Sequence, residues 1–295
     1  MARGRRRGAA RPPDGRPYGL PDPRPLPRIV RRVAQPMVLQ RTLVGAVLGF
    51  AVLPACGAGL YPASDVTSSV KVSVADPTDV GPPPSDHGLA ADLVERLLAS
   101  TVHVRGLDCR TAQEGSGFVV EGGLVATGAH VVSGIRLPTI VLGSSPDDRA
   151  EVASRVVAFD QVADLALLKP VDGETLPPPL DFGQPVDGTV GALLVHDGET
   201  ARAIPVGIER RIRATGRDIY GEPAGGRDAL VLAASVDVGY SGGAVVDVQG
   251  LAVGVAFSRS RGGRPVAYAV QTGELAALLG RVGIVAEGSG PCRDG

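Results

Sequence analysis

The feature that most constrains the fold of this chain is a series of short β-rich runs that recur between turn signals beyond residue 100. Twelve such runs occupy about 170 residues, and no long helical period separates them. The chain also contains 41 Gly and 25 Pro, and the pair Gly122-Gly123 between two runs predicts a hairpin turn. This pattern predicts an all-β domain built as antiparallel barrels or a sandwich, and it argues against an α/β sheet.

Two short helices are expected at the ends of the β-rich region. Apolar residues recur at helical spacing over 89–98, which predicts an amphipathic helix where the folded domain begins. A second helix is predicted over 273–279. Thr272 is its expected N-cap, and Glu274 lies in its first turn, where a negative charge suits the helix dipole.

The first 61 residues resemble an export signal preceded by a basic segment. Residues 1–36 contain ten Arg and only two acidic residues and lack apolar periodicity, so we expect them to be disordered. The following segment, 37–61, has Arg41 just before a run without charged residues, the layout of a signal peptide. Met37 begins a signal peptide of ordinary length, and a start of translation there stays an open alternative.

The apolar run contains a candidate lipidation site. Leu53-Pro54-Ala55-Cys56 resembles the lipobox of bacterial lipoproteins, in which the Cys is acylated and becomes the mature N-terminus. An uncleaved membrane span and plain secretion stay open as alternatives. All three predict export to the outer face of the cytoplasmic membrane or the periplasm, with a lipid or helix anchor in the membrane in the first two cases. Residues 62–88 are rich in Pro, Ser, Thr and Asp and are predicted to be a linker.

Charge and potential metal ligands argue against several classes of protein. The formal net charge is −1, and the chain outside the basic N-terminal segment is mildly acidic, so nothing indicates nucleic-acid binding. The three Cys and four His show no metal-ligand spacing. We therefore expect neither a metal nor a cofactor.

The strongest local signal for chemistry is Gly239-Tyr240-Ser241-Gly242-Gly243. A nucleophilic serine needs its hydroxyl exposed on a tight turn, and it needs backbone N–H groups directed at the position where an oxyanion forms. Glycines around the serine permit both. An ordinary Gly-Ser turn is the alternative that this motif alone leaves open.

Two further motifs supply a candidate base and a candidate acid. His130 follows the predicted strand 124–127 directly, where a histidine is held rigidly enough to act as a general base. Asp164 precedes the apolar run 165–168, so its carboxylate is expected to be buried at the mouth of a strand, where it can orient an imidazole. Taken singly, each residue also has an ordinary structural explanation.

The order of the three motifs favours catalysis over those explanations. His130, Asp164 and Ser241 are separated by 34 and 77 residues and follow the chain order of the double-barrel serine proteases. The G-x-S-x-G elbow of α/β-hydrolases requires a histidine after the serine, and none follows His196. A Ser-Lys dyad would need one of only two lysines, and neither lies in a suitable motif.

Together these residues resemble the trypsin-like serine proteases of bacterial envelopes, and the resemblance covers about residues 95–293. It includes Glu114-Gly115-Ser116-Gly117. More narrowly, Cys109, the stretch 214–221 and Gly290-Pro291-Cys292 resemble the periplasmic acid-resistance proteases of actinobacteria. The resemblance implies a protease domain over 89–293. Its implied fold is chymotrypsin-like, with two antiparallel six-stranded β-barrels, a short C-terminal helix and an active site between the barrels.

The same resemblance implies a role for each motif. His130 takes the proton of Ser241 Oγ, Asp164 holds the imidazole tautomer, and the N–H groups of Gly239 and Ser241 form the oxyanion hole. The implied reaction is hydrolysis of peptide bonds in envelope proteins or peptides through an acyl-enzyme. The alternative from another class is a non-catalytic envelope protein that keeps the fold and captures peptides in the cleft.

This sequence departs from the family pattern in several places. Tyr240 stands where Asn or Asp is commoner, so zymogen activation that relies on an Asp there is not expected. Gly128 replaces the commoner Asn or Ala before Ala129-His130. Neither the multi-span membrane bundle of the narrower group nor a C-terminal PDZ domain is expected.

Two finer expectations concern specificity and cysteine pairing. Ser235, six residues before the nucleophile, corresponds to the base of the primary pocket in this family, and its lack of charge predicts small or apolar P1 residues. Cys109 and Cys292 are the cysteines that remain if Cys56 carries lipid, and an oxidising compartment favours their disulfide. Two free, buried thiols are the alternative.

Overall fold

The structure is a computed structural model that describes residues 80–259, 265–284 and 288–293. The basic segment 1–36, the signal or anchor 37–61 with Cys56, and the linker up to residue 79 lie outside the described residues. Within the described ranges, no helix combines the length and the apolar character needed to cross a bilayer.

The described residues form twelve strands and three helices. One set of strands is β1 (Thr101–Leu107), β2 (Ala112–Val120), β3 (Leu124–Thr127), β4 (Thr139–Leu142), β5 (Ala150–Asp160) and β6 (Leu165–Pro170). The other is β7 (Thr189–His196), β8 (Ala201–Arg217), β9 (Pro223–Ala233), β10 (Ala244–Asp247), β11 (Ala252–Arg259) and β12 (Val266–Gln271). The helices are α1 (Ala91–Ala99), α2 (Ala129–Val132) and α3 (Thr272–Leu279), and a 3₁₀ turn covers Pro146–Asp148.

Each set of six strands closes into a barrel. The first has the order β1-β2-β3-β6-β5-β4 and the second the order β10-β11-β12-β9-β8-β7. All neighbouring strands are antiparallel. The predicted all-β fold with two antiparallel six-stranded barrels and a short C-terminal helix is confirmed.

Many strands are buried on both faces, which explains their continuous apolar sequences. Successive residues of a strand point to opposite sides. In β6, Ala166 and Leu168 belong to the core of the first barrel, whereas Leu165 and Leu167 join a cluster shared with the second barrel. That shared cluster also contains Leu194 of β7. The two barrels therefore pack directly against each other, and the loops that meet at their junction are held in place.

The helices lie close to their predicted positions, but the cap of α3 differs. The N-cap of α3 is Gln271, which makes no side-chain capping bond. Thr272, predicted as the cap, instead donates from Oγ1 to the carbonyl of Gly183 at 3.1 Å. The prediction was wrong because this buried hydroxyl pairs with the connection between the barrels. Glu274 lies in the first turn as predicted.

Candidate active site

The predicted triad residues come from three different connections that meet between the barrels. His130 lies in α2, directly after β3, and Asp164 ends the β5–β6 turn. Ser241 lies in the loop between β9 and β10. His130 and Ser241 line one cleft of about 470 Å³. The structure thus brings the base and the nucleophile of the sequence prediction to one site.

The carboxylate of Asp164 binds both the side chain and the backbone N–H of His130. The Nδ1 atom of His130 lies 2.9 Å from Oδ1 and 2.8 Å from Oδ2 of the carboxylate. The backbone N–H of His130 donates to Oδ1 at 2.9 Å. Asp164 is only 4% exposed, so water competes little for these bonds. With its proton on Nδ1, the ring leaves Nε2 as the basic nitrogen.

The turn that carries Asp164 has an unusual backbone. Asp164 has a φ of 61°, and no other non-glycine residue in the described ranges has a positive φ. Such a conformation is maintained only where the surroundings enforce it. Asp160 contributes by accepting hydrogen bonds from the N–H groups of Val162 at 3.0 Å and Ala163 at 2.9 Å. Arg281 in turn pairs with Asp160 at 2.6 Å.

The loop that carries Ser241 is fixed to the first barrel by Ser116. The backbone N–H of Ser116 donates to the carbonyl of Ser241 at 2.8 Å. The hydroxyl of Ser116 donates to the carbonyl of Gly239 at 2.9 Å. Ser116 is fully buried and lies in β2. The sequence singled out its motif only through the family resemblance, and the two bonds show what the residue does.

Gly239 and Gly242 of the serine motif are favoured for different reasons. Gly239 has a φ of 90°, in the left-handed region that glycine adopts without a steric penalty. Gly242 has a φ of 87°, and a Cβ there would overlap the carbonyl oxygen of Ser116. The motif therefore needs glycine at Gly242 because the two barrels approach each other closely at this point.

Two backbone N–H groups of this loop have no backbone acceptor within the described residues. The N–H of Gly242 donates to the carbonyl of Ala256 at 2.7 Å, and that of Gly243 to the carbonyl of Tyr240 at 3.1 Å. Within the part of the chain that the structure describes, no carbonyl receives the N–H of Gly239 or of Ser241. These are the two groups that the sequence predicted for the oxyanion hole.

The walls of the cleft combine apolar and polar residues. Val236, Ala256, Phe257 and Ala267 contribute apolar surface, and Glu114 and Asp237 are acidic residues of the lining.

The predicted pocket residue Ser235 requires a correction. Ser235 is exposed and is not part of the cleft wall. The next residue, Val236, lines the cleft and packs on the core of the second barrel, which also contains the buried ring of Tyr240. The loop therefore turns the side chain of Val236 inward and leaves Ser235 in solvent.

Two buried histidines lie beside the cleft and were not recognised in the sequence. The rings of His103 and His196 stack with centroids 5.8 Å apart, and both residues are buried. Burial lowers the pKa of both, and the charge of His196 lowers that of His103 further. Nε2 of His103 lies 3.6 Å from a carboxylate oxygen of Glu114, which lines the cleft. Neither histidine stood in a motif, so only the folded structure places them here.

The C-terminal segment supports the helix that carries His130. In the structure a disulfide joins Cys109 of the β1–β2 loop to Cys292, with Cα atoms 6.0 Å apart. Close by, the N–H of Gly134 donates to the carbonyl of Ser289 at 3.1 Å. The hydroxyl of Ser133 donates to the carbonyl of Pro291 at 2.8 Å. Because Ser133 and Gly134 directly follow α2, the end of the chain restrains that helix.

Two barrels with a histidine, an aspartate and a serine at their junction define the class of chymotrypsin-fold hydrolases, and comparisons with known proteins agree. The model of the trypsin-like peptidase domain family matches residues 115–255. Serine protease Rv3671c of Mycobacterium tuberculosis is 33% identical over 200 residues, which are 65% of this chain and 49% of that protein. The crystal structure of its active form gives a TM-score of 0.64 at 31% identity and covers 72% of this chain and 94% of that one.

A probable periplasmic DegP-like serine endoprotease of Brucella suis is also similar, with 33% identity over 170 residues. These residues are 55% of this chain and 31% of that protein. The chain belongs to the trypsin-like serine proteases, which are serine-type endopeptidases of the hydrolase class. It spans about half the length, or less, of these curated relatives.

Proposed function

We propose that this chain is a serine endopeptidase of the cell envelope, with His130, Asp164 and Ser241 as its catalytic triad and a protease domain over 89–293. The observation that carries the proposal is the Asp164 carboxylate, which binds both Nδ1 and the backbone N–H of His130 beside the cleft that Ser241 lines. This arrangement fixes the tautomer and orientation that a general base requires.

The proposed reaction proceeds in two halves. Oγ of Ser241 attacks the carbonyl carbon of the scissile peptide bond while Nε2 of His130 accepts the hydroxyl proton. The N–H groups of Gly239 and Ser241 stabilise the oxyanion. When the intermediate collapses, His130 gives its proton to the leaving amine and an acyl-enzyme remains. Water then attacks the ester with His130 again as base, which releases the acid and restores Ser241.

The cleft supports a proposal on specificity. The apolar walls at Val236, Ala256 and Ala267 favour a small or apolar P1 side chain. Asp237 is the residue through which a basic P1 side chain could be accepted instead, since it lies in the same lining. Glu114 lies both in this lining and in that of an adjacent cavity of about 640 Å³ on the first barrel, which would allow a longer peptide to extend past the cleft.

The location of the protein is part of the proposal. The N-terminal sequence pattern supports export, and the name of the DegP-like relative places that protein in the periplasm. We propose that the domain faces the outside of the cytoplasmic membrane or the periplasm and is anchored through lipid on Cys56. Its substrates would then be proteins or peptides of the envelope.

Hydrolysis of casein by the purified full chain tests the proposed activity. The wild-type chain should release peptides, and Ser241→Ala should lower the rate by several orders of magnitude while its circular dichroism spectrum stays unchanged. Ser235→Ala is the matched control, because it removes an exposed serine of the same loop and should keep wild-type activity. A wild-type chain that binds casein peptides without cleaving them would favour the non-catalytic alternative.

A further inference from the structure

Arg227 contacts two parts of the site that belong to different barrels. It lies in β9 and is partly buried. Its Nη1 atom donates a 2.7 Å hydrogen bond to the carbonyl of Val162, in the β5–β6 turn of the first barrel. Its guanidinium carbon lies 4.1 Å from the ring centroid of Phe257, which lines the cleft. One side chain thus joins the turn that presents Asp164 to a wall of the cleft.

The bond from Arg227 adds to the hydrogen bonds that restrain the β5–β6 turn. The hydrogen bonds from Val162 and Ala163 to Asp160 restrain the N–H side of the turn. The bond from Arg227 restrains its carbonyl side, two residues before Asp164. Because Asp164 has a φ of 61°, the turn must be held from both sides to keep the carboxylate beside His130.

Several carboxylates act on the guanidinium of Arg227. Burial lowers the pKa of Arg227, whereas the carboxylates of Asp164, Asp160 and Glu274 raise it. Asp160 is paired with Arg281 at 2.6 Å, and Glu274 with Arg213 at 3.3 Å.

The guanidinium of Arg227 stays protonated throughout the range in which enzymes are assayed. Its Nε atom is buried and has no hydrogen-bond partner within the described part of the chain. Val162 and Phe257 therefore determine where the group lies.

We propose that Arg227 is a positioning residue of the proposed triad, which fastens the Asp164 turn to the Phe257 wall. The inference rests on the proposed function. Arg227 acts through Asp164 and is not a catalytic residue. Its loss loosens the carboxylate that orients His130.

The test measures how fast Ser241 reacts with a fluorophosphonate, which modifies only activated serines. Rates are measured on the full chain between about pH 5 and pH 9, a range that contains the acid limb set by the general base. Arg227→Met keeps an apolar side chain on Phe257 but removes the hydrogen bond and the charge. Arg227→Lys keeps the charge and loses the planar group. Glu114 and Asp237, the acidic residues of the cleft lining, are unchanged in both variants.

Arg213→Met is the matched control. Arg213 lies on the neighbouring strand β8 and pairs at the surface with Asp228 at 2.9 Å and Glu274 at 3.3 Å. This variant removes an arginine from the same region without touching the Asp164 turn. Thermal melting of every variant reports whether it is folded.

We expect Arg227→Met to react about 10- to 100-fold more slowly than the wild type at neutral pH, since small displacements of catalytic groups have effects of this size. Arg227→Lys, which can still donate to the carbonyl of Val162, should recover part of the rate, and Arg213→Met should match the wild type. A purely structural role would lower melting temperatures and leave the rate of the folded protein unchanged.

Three results would overturn the inference. The first is a folded Arg227→Met with wild-type rate and pH profile, and the second is an equal loss of rate in Arg227→Met and Arg213→Met. If Arg227→Met does not melt cooperatively, Arg227→Lys decides: a reduced rate supports the inference, and a wild-type rate contradicts it. The third result is a wild-type chain that is not labelled. It would show that the proposed function has failed and that there is no triad to position.

Discussion

At the residue scale, the site depends on side chains whose partners are far away in the sequence. Ser116 binds the carbonyl of Gly239, 123 residues further along the chain. The spacing of His130, Asp164 and Ser241 could be recognised in the sequence because each residue belongs to a short motif. Ser116, as a support for the serine loop, could not be recognised in this way, since its role exists only where the two barrels meet.

Ser235 shows the limit of carrying a position over from a family. Counting six residues back from the nucleophile assumes that the loop has the family's conformation. In this chain Val236 and Tyr240 pack toward the second barrel instead, and Ser235 is exposed. The sequence could not show which residue of this loop faces the cleft, and the preference for small or apolar P1 residues stays a prediction.

We predict a preference for small or apolar P1 residues, because Val236, Ala256 and Ala267 place apolar surface in the cleft wall. A peptide library digested by the full chain and analysed by mass spectrometry measures this preference directly. Asp237→Asn is the informative variant, since it removes the acidic group that could attract a basic side chain. A wild-type profile dominated by Arg or Lys at P1, and lost in Asp237→Asn, would show that Asp237 determines specificity.

The buried pair His103 and His196 predicts a loss of stability in acid. Burial lowers the pKa of both histidines below the ordinary value of 6.5. The unfolded chain therefore binds protons more readily than the folded chain. The stabilisation is fully present above about pH 6.5 and is lost as the pH falls toward the lowered values.

Melting temperatures measured from about pH 7.5 to pH 5 test this prediction. The wild type should lose stability across this range, and His103→Phe should lose less, because the replacement cannot be protonated. The matched control is His87→Gln, which removes a histidine outside the pair and should follow the wild type. If His103→Phe and the wild type show the same pH dependence, the pair does not cause the acid sensitivity.

At the scale of elements, apolar periodicity predicted the strand segments that bury a face. It underestimated the length of two strands that have exposed ends. In this part of the sequence the β-rich runs cover only 203–214 and 229–232, whereas β8 extends over Ala201–Arg217 and β9 over Pro223–Ala233. Most of the added residues, 215–217 and 223–228, form the outer part of a hairpin, which is largely exposed and carries little apolar signal. Pairing between the two strands stabilises this part, and pairing leaves no apolar period in the sequence.

The link between the β1–β2 loop and the C-terminal segment predicts a measurable loss when it is removed. The disulfide between Cys109 and Cys292 closes a separation of 183 residues, and loops of this size restrict the unfolded chain strongly. Cys292→Ser should lower the free energy of unfolding by about 2–5 kcal/mol. Chemical denaturation measures this change, and limited proteolysis should cut the C-terminal segment first.

Cys109→Ser is the matched variant, and the double variant completes the cycle. If the two sulfurs act as one bond, each single change and the double change should have the same effect. Cys292→Ser with unchanged unfolding and unchanged protease resistance would show that the link contributes nothing to stability.

At the scale of the whole molecule, the barrels are joined by apolar packing and by hydrogen bonds of the loop that carries Ser241. Alternate residues of β2 and β6 enter the cluster between the barrels, and the residues between them enter the core of the first barrel. The same strands therefore supply side chains to a barrel core and to the junction. The fold could therefore be predicted from the runs together with the family resemblance. The contacts across the junction, including those of Arg227, depend on the relative position of the barrels and could not.

The proposed export of the molecule predicts a modified N-terminus. If Cys56 is the lipidated residue, mass spectrometry of the protein from membranes should find a mature N-terminus at acylated Cys56. Several acyl chains should hold the protein stably in the membrane fraction. Cys56→Ser should stay unprocessed or leave that fraction. An unmodified Cys56 within an uncleaved apolar run would exclude lipoprotein processing.

The proposal as a whole depends on whether Ser241 is an activated nucleophile. The full chain, treated with an excess of fluorophosphonate and examined by intact mass and peptide mapping, answers this in one measurement. We predict one adduct per molecule, on Ser241, with none on Ser241→Ala or on heat-unfolded wild type. A folded wild-type chain that carries no adduct would contradict the proposed triad and favour a protein that binds peptides without cleaving them.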